Sequence, residues 1–79
     1  MEHKKVIVTG GNRGIGKGIV LSLLDQGYLV LATSRDSKKF DMSHQNLEVA
    51  NLEVCDQASI DDFQKIVNDF DPDILINNA

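Results

Sequence analysis

The sequence has little of what would mark several whole classes of protein. It has a single cysteine, Cys55, so no internal disulfide can form and the chain fits a reducing compartment; the cytoplasm is the expected location. It has no positive excess: 8 Lys and Arg stand against 12 Asp and Glu, a net charge of −4, which argues against a general nucleic-acid or anionic-membrane surface. No apolar run approaches the roughly 20 residues of a membrane span. The apolar stretch behind Met1-Glu2-His3-Lys4-Lys5 is also too short for a signal peptide. The two histidines, His3 and His44, have no metal-ligand partners at useful spacing, so no metal site is expected. Length is scarce too: 79 residues make at most one small domain, and a chain this short buries only roughly 60% of its unfolded surface.

What is there is ordinary for a globular protein, 42% hydrophobic and 25% charged, and it is organised around Val6-Ile-Val-Thr9-Gly10-Gly11-Asn12-Arg13-Gly14-Ile15-Gly16-Lys17-Gly18. An apolar run enters a glycine cluster and an apolar-periodic segment leaves it, which predicts strand, tight turn and helix. Glycines there permit positive φ and close approach of a ligand. A helix starting near Gly14 would aim unpaired N–H groups and its positive dipole end at the turn, which suits a phosphate. Two familiar phosphate loops do not fit. The pattern G-x-G-x-x-G/A begun at Gly14 needs a small residue where Ile19 stands, and the P-loop begun at Gly11 needs Ser or Thr where Gly18 stands. The later apolar run Ile74-Leu75-Ile76 ends in Asn77 rather than in a magnesium-binding aspartate.

Taken in order, Lys4–Thr9 reads as a first strand, apolar enough to be covered on both faces of a parallel sheet. Gly14–Gln26 reads as a helix with Ile15, Ile19, Val20, Leu23 and Leu24 as its stripe, stopped by Gly27. Tyr28–Thr33 is a second strand. The polar stretch 34–46 holds a turn or two of helix at most. Leu47–Val54 contains a third strand. Asp56 caps a helix running to Phe70, with Ile60, Phe63, Ile66 or Val67, and Phe70 as its apolar positions. Pro72 ends that helix and Asp73–Asn77 is a fourth strand. The alternation predicts an α/β fold, a doubly wound parallel sheet of Rossmann type with strand order 3-2-1-4 and a ligand crevice beyond the carboxyl ends of strands 1 and 4. The glycine loop and Asn77-Asn78-Ala79 both fall at those ends.

Thr9-Gly10-x-x-x-Gly14-x-Gly16 after a first strand resembles the glycine motif of the short-chain dehydrogenase/reductase family, and Asn77-Asn78-Ala79 resembles the start of its Asn-Asn-Ala-Gly motif after the fourth strand. The resemblance runs from Lys4 to Ala79 and implies a nicotinamide dinucleotide cofactor. It makes Gly10, Asn12, Arg13, Gly14, Ile15 and Gly16 the candidate pyrophosphate cradle, with Thr9 bracing the loop. Where NAD-dependent members place an aspartate at the end of the second strand, this chain has Ser34, followed by Arg35. A serine that donates and an arginine whose fork matches phosphate oxygens point to NADP(H) rather than NAD(H). The resemblance places Arg13 near the same 2′-phosphate. Asp36 is the open alternative, since it would face the ribose if the strand ended later. Leu52-Glu53-Val54-Cys55-Asp56 resembles the family's Leu-Asp-Val-Thr-Asp, which puts Glu53 and the Val54 backbone at the adenine, Glu53 being one methylene longer than usual. Asn78 and Ala79 match positions lining the ribose and nicotinamide end, and Asn77 matches a structural position.

The family transfers hydride between the nicotinamide and a carbonyl or alcohol, using a tyrosine tuned by a lysine and a serine. None of these is expected within 1–79, because the one tyrosine, Tyr28, opens a buried strand. The expectation is therefore the cofactor-binding half of an NADP(H)-dependent oxidoreductase acting on a small molecule, a homo-oligomer when full length, with no catalytic residue in this stretch. A non-catalytic dinucleotide-binding sensor or scaffold is the alternative. The related epimerase loops, Thr-Gly-x-x-Gly-x-x-Gly, fail at Arg13.

Overall fold

The computed structural model describes residues 4–11, 14–35, 40–53 and 55–78. Six elements follow one another: β1 (Lys5–Val8), α1 (Gly14–Asp25), β2 (Leu29–Ser34), β3 (Leu47–Asn51), α2 (Gln57–Phe70) and β4 (Ile74–Ile76). The strands form a four-stranded sheet in the order β3-β2-β1-β4, with every pairing parallel. This is the Rossmann-type order expected from the alternation of elements.

The continuous apolar runs are explained by burial on both sides of the sheet. Successive side chains of a strand point to opposite faces. Val6, Val8, Val30 and Ala32 therefore meet Val20 and Leu24 of α1 on one face. Ile7, Leu31 and Ala50 meet Phe63, Val67 and Phe70 of α2 on the other. Full burial of a Val, Leu or Ile side chain is worth about 1.5–3 kcal/mol, and these two small cores hold the layers together.

The buried line of α1 is Gly16, Val20 and Leu24, at i, i+4 and i+8. Ile15, expected in that stripe, is instead 79% exposed. At 100° per residue it lies about 140° around the helix from Val20, off the face that meets the sheet. Gly27, with φ +90°, follows the end of α1. In α2 the packed positions are Phe63, Val67 and Phe70, whereas Ile66 is exposed. Asp56 caps α2 by accepting from the Ala58 N–H at 3.0 Å, and the left-handed Asp71 closes it with its N–H on the Val67 carbonyl before Pro72.

Several boundaries differ from expectation: β1 and β4 are each one residue shorter at both ends, α1 stops one residue earlier and β2 starts one residue later. Strand β2 runs one residue further, to Ser34, because Ser34 still pairs in register with Asn51. Residues 40–46 contain no helix; residues 36–39, which include Asp36, lie outside the described part. Phe40 and Met42 pack instead against the α1-side core. Between them Asp41 meets Lys17 of α1, Nζ to Oδ1 at 2.9 Å.

Candidate functional site

The carboxyl ends of β1 and β4 are locked to each other by side chains from the turns that follow them. Thr9 Oγ1 donates to Asn77 Oδ1 at 3.0 Å and accepts from the Asn78 N–H at 2.9 Å. Asn78 Nδ2 donates to the Gly10 carbonyl at 3.2 Å, and the Thr9 N–H donates to the Ile76 carbonyl at 3.0 Å. Thr9 thus braces the loop, and Asn77 and Asn78 are its partners across the sheet. Thr33 anchors the loop from the other side. Its Oγ1 accepts from the Gly10 N–H at 3.3 Å, and its carbonyl accepts from the Gly11 N–H at 3.0 Å. Thr33 was legible only as a β-branched strand residue; its role depends on the β1–β2 register, which places Ala32 opposite Val8.

This framework sets the glycines. Gly10 and Gly14 have φ of +66° and +61°, the left-handed region that a side chain disfavours. A Cβ at Gly16 would collide with the Gly10 carbonyl and with Asn78 Nδ2, so only glycine lets α1 begin this close to the end of β1. At Gly14, by contrast, nothing lies within 4 Å of where a Cβ would stand. The first turn of α1, which starts at this glycine, has leading N–H groups that lack helical acceptors. A pyrophosphate fits backbone donors at a helix start held by glycines of this kind. Ile15 stands exposed beside it. Asn12 and Arg13, Val54 and Ala79, all expected at the site, lie outside the described residues.

At the carboxyl ends of β2 and β3, Ser34 is 6% exposed and its carbonyl accepts from the Leu52 N–H at 2.8 Å. Arg35 follows with its side chain 83% exposed and its Nε 3.6 Å from Glu53 Oε2. Glu53 Oε1 accepts from the Cys55 N–H at 3.2 Å, and the Glu53 N–H donates to Ser59 Oγ at 3.0 Å. The structure therefore gathers Thr9, Gly10, Gly14, Ile15, Gly16, Asn77 and Asn78 at the ends of β1 and β4, and Ser34, Arg35 and Glu53 at the ends of β2 and β3. Among the described residues no group of three or more His, Cys, Asp or Glu could hold a metal ion, and no helix is long and apolar enough to cross a membrane. A groove of about 420 Å³ lies elsewhere, at the amino ends of the strands, lined by Lys5, Leu29, Glu48, Ile66 and Phe70 among others. In open α/β sheets ligands bind at the carboxyl ends, where the glycine loop is.

The pattern of the family described as short chain dehydrogenase matches residues 4–79. The chain belongs to the short-chain dehydrogenase family. Among curated members it is 40% identical over 86 residues to (+)-neomenthol dehydrogenase from Arabidopsis thaliana, a match that covers 92% of this chain and 29% of that protein. Among solved members it superposes on a short chain dehydrogenase from Burkholderia cenocepacia in complex with NADP, with a TM-score of 0.87 and 25% identity over 99% of this chain and 32% of that one. A short chain dehydrogenase from Leptospira borgpetersenii with bound NAD+ gives 0.83 and 26%, covering 100% and 32%. The chain thus spans about a third of the length of the short-chain dehydrogenases it matches.

Proposed function

We propose that the full-length protein carrying this chain is an NADP(H)-dependent oxidoreductase of the short-chain dehydrogenase/reductase type, and that these residues form the dinucleotide-binding half of a single Rossmann domain. The observation that carries the cofactor choice is the end of β2, where Ser34 stands in place of an acid and Arg35 presents a side chain 83% exposed. An adenosine ribose that carries a free 2′-hydroxyl is met by a carboxylate in NAD-binding folds, whereas a 2′-phosphate needs room and a cation. Arg13 is the second cation assigned to that phosphate. The backbone of Gly10, Asn12, Gly14, Ile15 and Gly16 holds the pyrophosphate. Asn78 and Ala79 border the ribose and nicotinamide, and Glu53 and Val54 the adenine.

The bound cofactor supplies the hydride chemistry, exchanging hydride with a small carbonyl or alcohol substrate. This chain's own residues bind and orient it. Thr9, Asn77 and Asn78 hold Gly10 at the end of β1, and the first turn of α1 directs backbone donors to the pyrophosphate. No acid/base catalyst is assigned within the chain: Tyr28 packs against the α1-side core, remote in role from a proton donor that touches substrate. We place the full-length protein in the cytoplasm as a homo-oligomer.

The deciding experiment is a titration of the full-length protein with NADPH and with NADH, followed by protein fluorescence. NADPH is expected to bind more tightly. Arg35→Ala is expected to weaken NADPH about tenfold or more, the worth of a charge-assisted hydrogen bond to phosphate, with NADH affected far less. Equal binding, or a preference for NADH, would overturn the assignment and return the role to Asp36.

A further inference from the structure

The end of β2 lacks an acid of its own, yet a carboxylate stands beside it. Strand β3 pairs with β2 as far as Ser34 and Asn51, and the Leu52 N–H still donates to the Ser34 carbonyl at 2.8 Å. The next residue on each side of that contact is charged, Arg35 on one and Glu53 on the other, with Nε and Oε2 3.6 Å apart. The two partners are held very differently. The Glu53 carboxylate accepts from the Cys55 N–H in the turn before α2 at 3.2 Å, and the Glu53 backbone N–H donates to Ser59 Oγ of α2 at 3.0 Å. Arg35 projects into solvent from the strand end.

We propose that Glu53 is a specificity-determining residue that acts through Arg35: its carboxylate competes with a cofactor 2′-phosphate for the Arg35 guanidinium and narrows the preference for NADPH over NADH. The inference rests on the NADP(H) reading above. An exposed pair of this kind contributes little to stability, so its consequence falls on the ligand. A phosphate monoester carries close to two negative charges near neutral pH, and a fixed carboxylate within reach of the same guanidinium opposes it. NADH brings no charge to that position. The positioning role is therefore paid only by one of the two cofactors.

The test titrates NADPH and NADH into the full-length wild-type protein, Glu53→Gln, Arg35→Ala and the double variant. Glutamine keeps the length of Glu53 and a carbonyl oxygen for the Cys55 N–H while removing the charge. The readout is the ratio of the NADH to the NADPH dissociation constant, in which any adenine contact of residue 53 cancels because both cofactors carry the same adenine. Glu53→Gln is expected to raise that ratio about fivefold, the effect of one solvent-screened charge, and most of that gain should vanish in the Arg35→Ala background. An unchanged ratio in Glu53→Gln, or a gain that survives intact without Arg35, overturns the proposal. The single variant Arg35→Ala separates the two failures. If it collapses the NADPH preference while Glu53→Gln changes nothing, only the role of Glu53 falls; if it leaves the ratio unchanged, the NADP(H) assignment falls with it.

Discussion

Gly16 carries more of the site than any other single residue. It lies on the buried line of α1 and has no room for even one methyl group against Gly10 and Asn78. Gly16→Ala is expected to push the glycine loop away from the end of β4. Overpacking of this kind costs about 1–3 kcal/mol, and NADPH and NADH should weaken together by about tenfold or more because the proposed pyrophosphate site is common to both. Gly18 in the same helix is the control. Nothing lies within 4 Å of its would-be Cβ, so Gly18→Ala should be neutral or stabilise by about 0.5–1 kcal/mol through helix propensity. Thermal melts and cofactor titrations of the two variants make the comparison. The glycine spacing was legible in the sequence because phosphate loops constrain it locally. The reason for Gly16 in particular was not, since its neighbours Gly10 and Asn78 are brought together only by the pairing of β1 with β4.

At the scale of elements, the Lys17–Asp41 pair ties α1 to the segment that carries Phe40 and Met42 onto the core. The Lys17 ammonium donates to the Asp41 carboxylate and holds its pKa below the usual carboxylate value, first through the hydrogen bond and then through charge. A depressed folded-state pKa contributes stability above the unfolded pKa and loses it as pH falls through the folded one. The clasp is therefore present at neutral pH and is lost on the acid side, below the ordinary aspartate range. Asp41→Asn should leave stability at the acid extreme unchanged and lower it slightly at neutral pH, a difference that high salt erases; melting curves across pH would check it. The apolar stripe and cap of α2 were legible because they are local: Asp56 lies next to the first turn, and Phe63, Val67 and Phe70 repeat at helical spacing. The choice of Val67 over Ile66 needed the third dimension, as did the proximity of Arg35 to Glu53. Both depend on which face and register the sheet adopts.

For the whole molecule, the sheet order β3-β2-β1-β4 leaves β4 as an outer strand of this chain, with Ile74 41% and Leu75 64% exposed. An exposed apolar edge is a template for pairing with another chain. The 79-residue chain on its own is expected to self-associate through this edge. Leu75→Lys should shift it toward monomer, as read by sedimentation velocity, because a charged edge opposes strand addition. The α/β architecture was legible from the alternation of apolar runs with helical ones, since the runs of β1 and β2 are continuous enough to need cover on both faces.

The bonds that shape the glycine loop join residues far apart in the chain. Thr9 to Asn77 spans 68 positions, Thr9 to Asn78 spans 69, and Asn78 to Gly10 spans 68. Such contacts come late in folding, because the entropy of closing so long a stretch must be met before they form. During synthesis the chain emerges from its amino end at about 5–20 residues per second. The glycine loop is therefore made well before β4 and takes its final shape only once β4 has arrived. For several seconds after the loop leaves the ribosome the nascent chain holds the glycine sequence without its folded shape, and on the proposed function cofactor capture becomes a signal that β4 has docked.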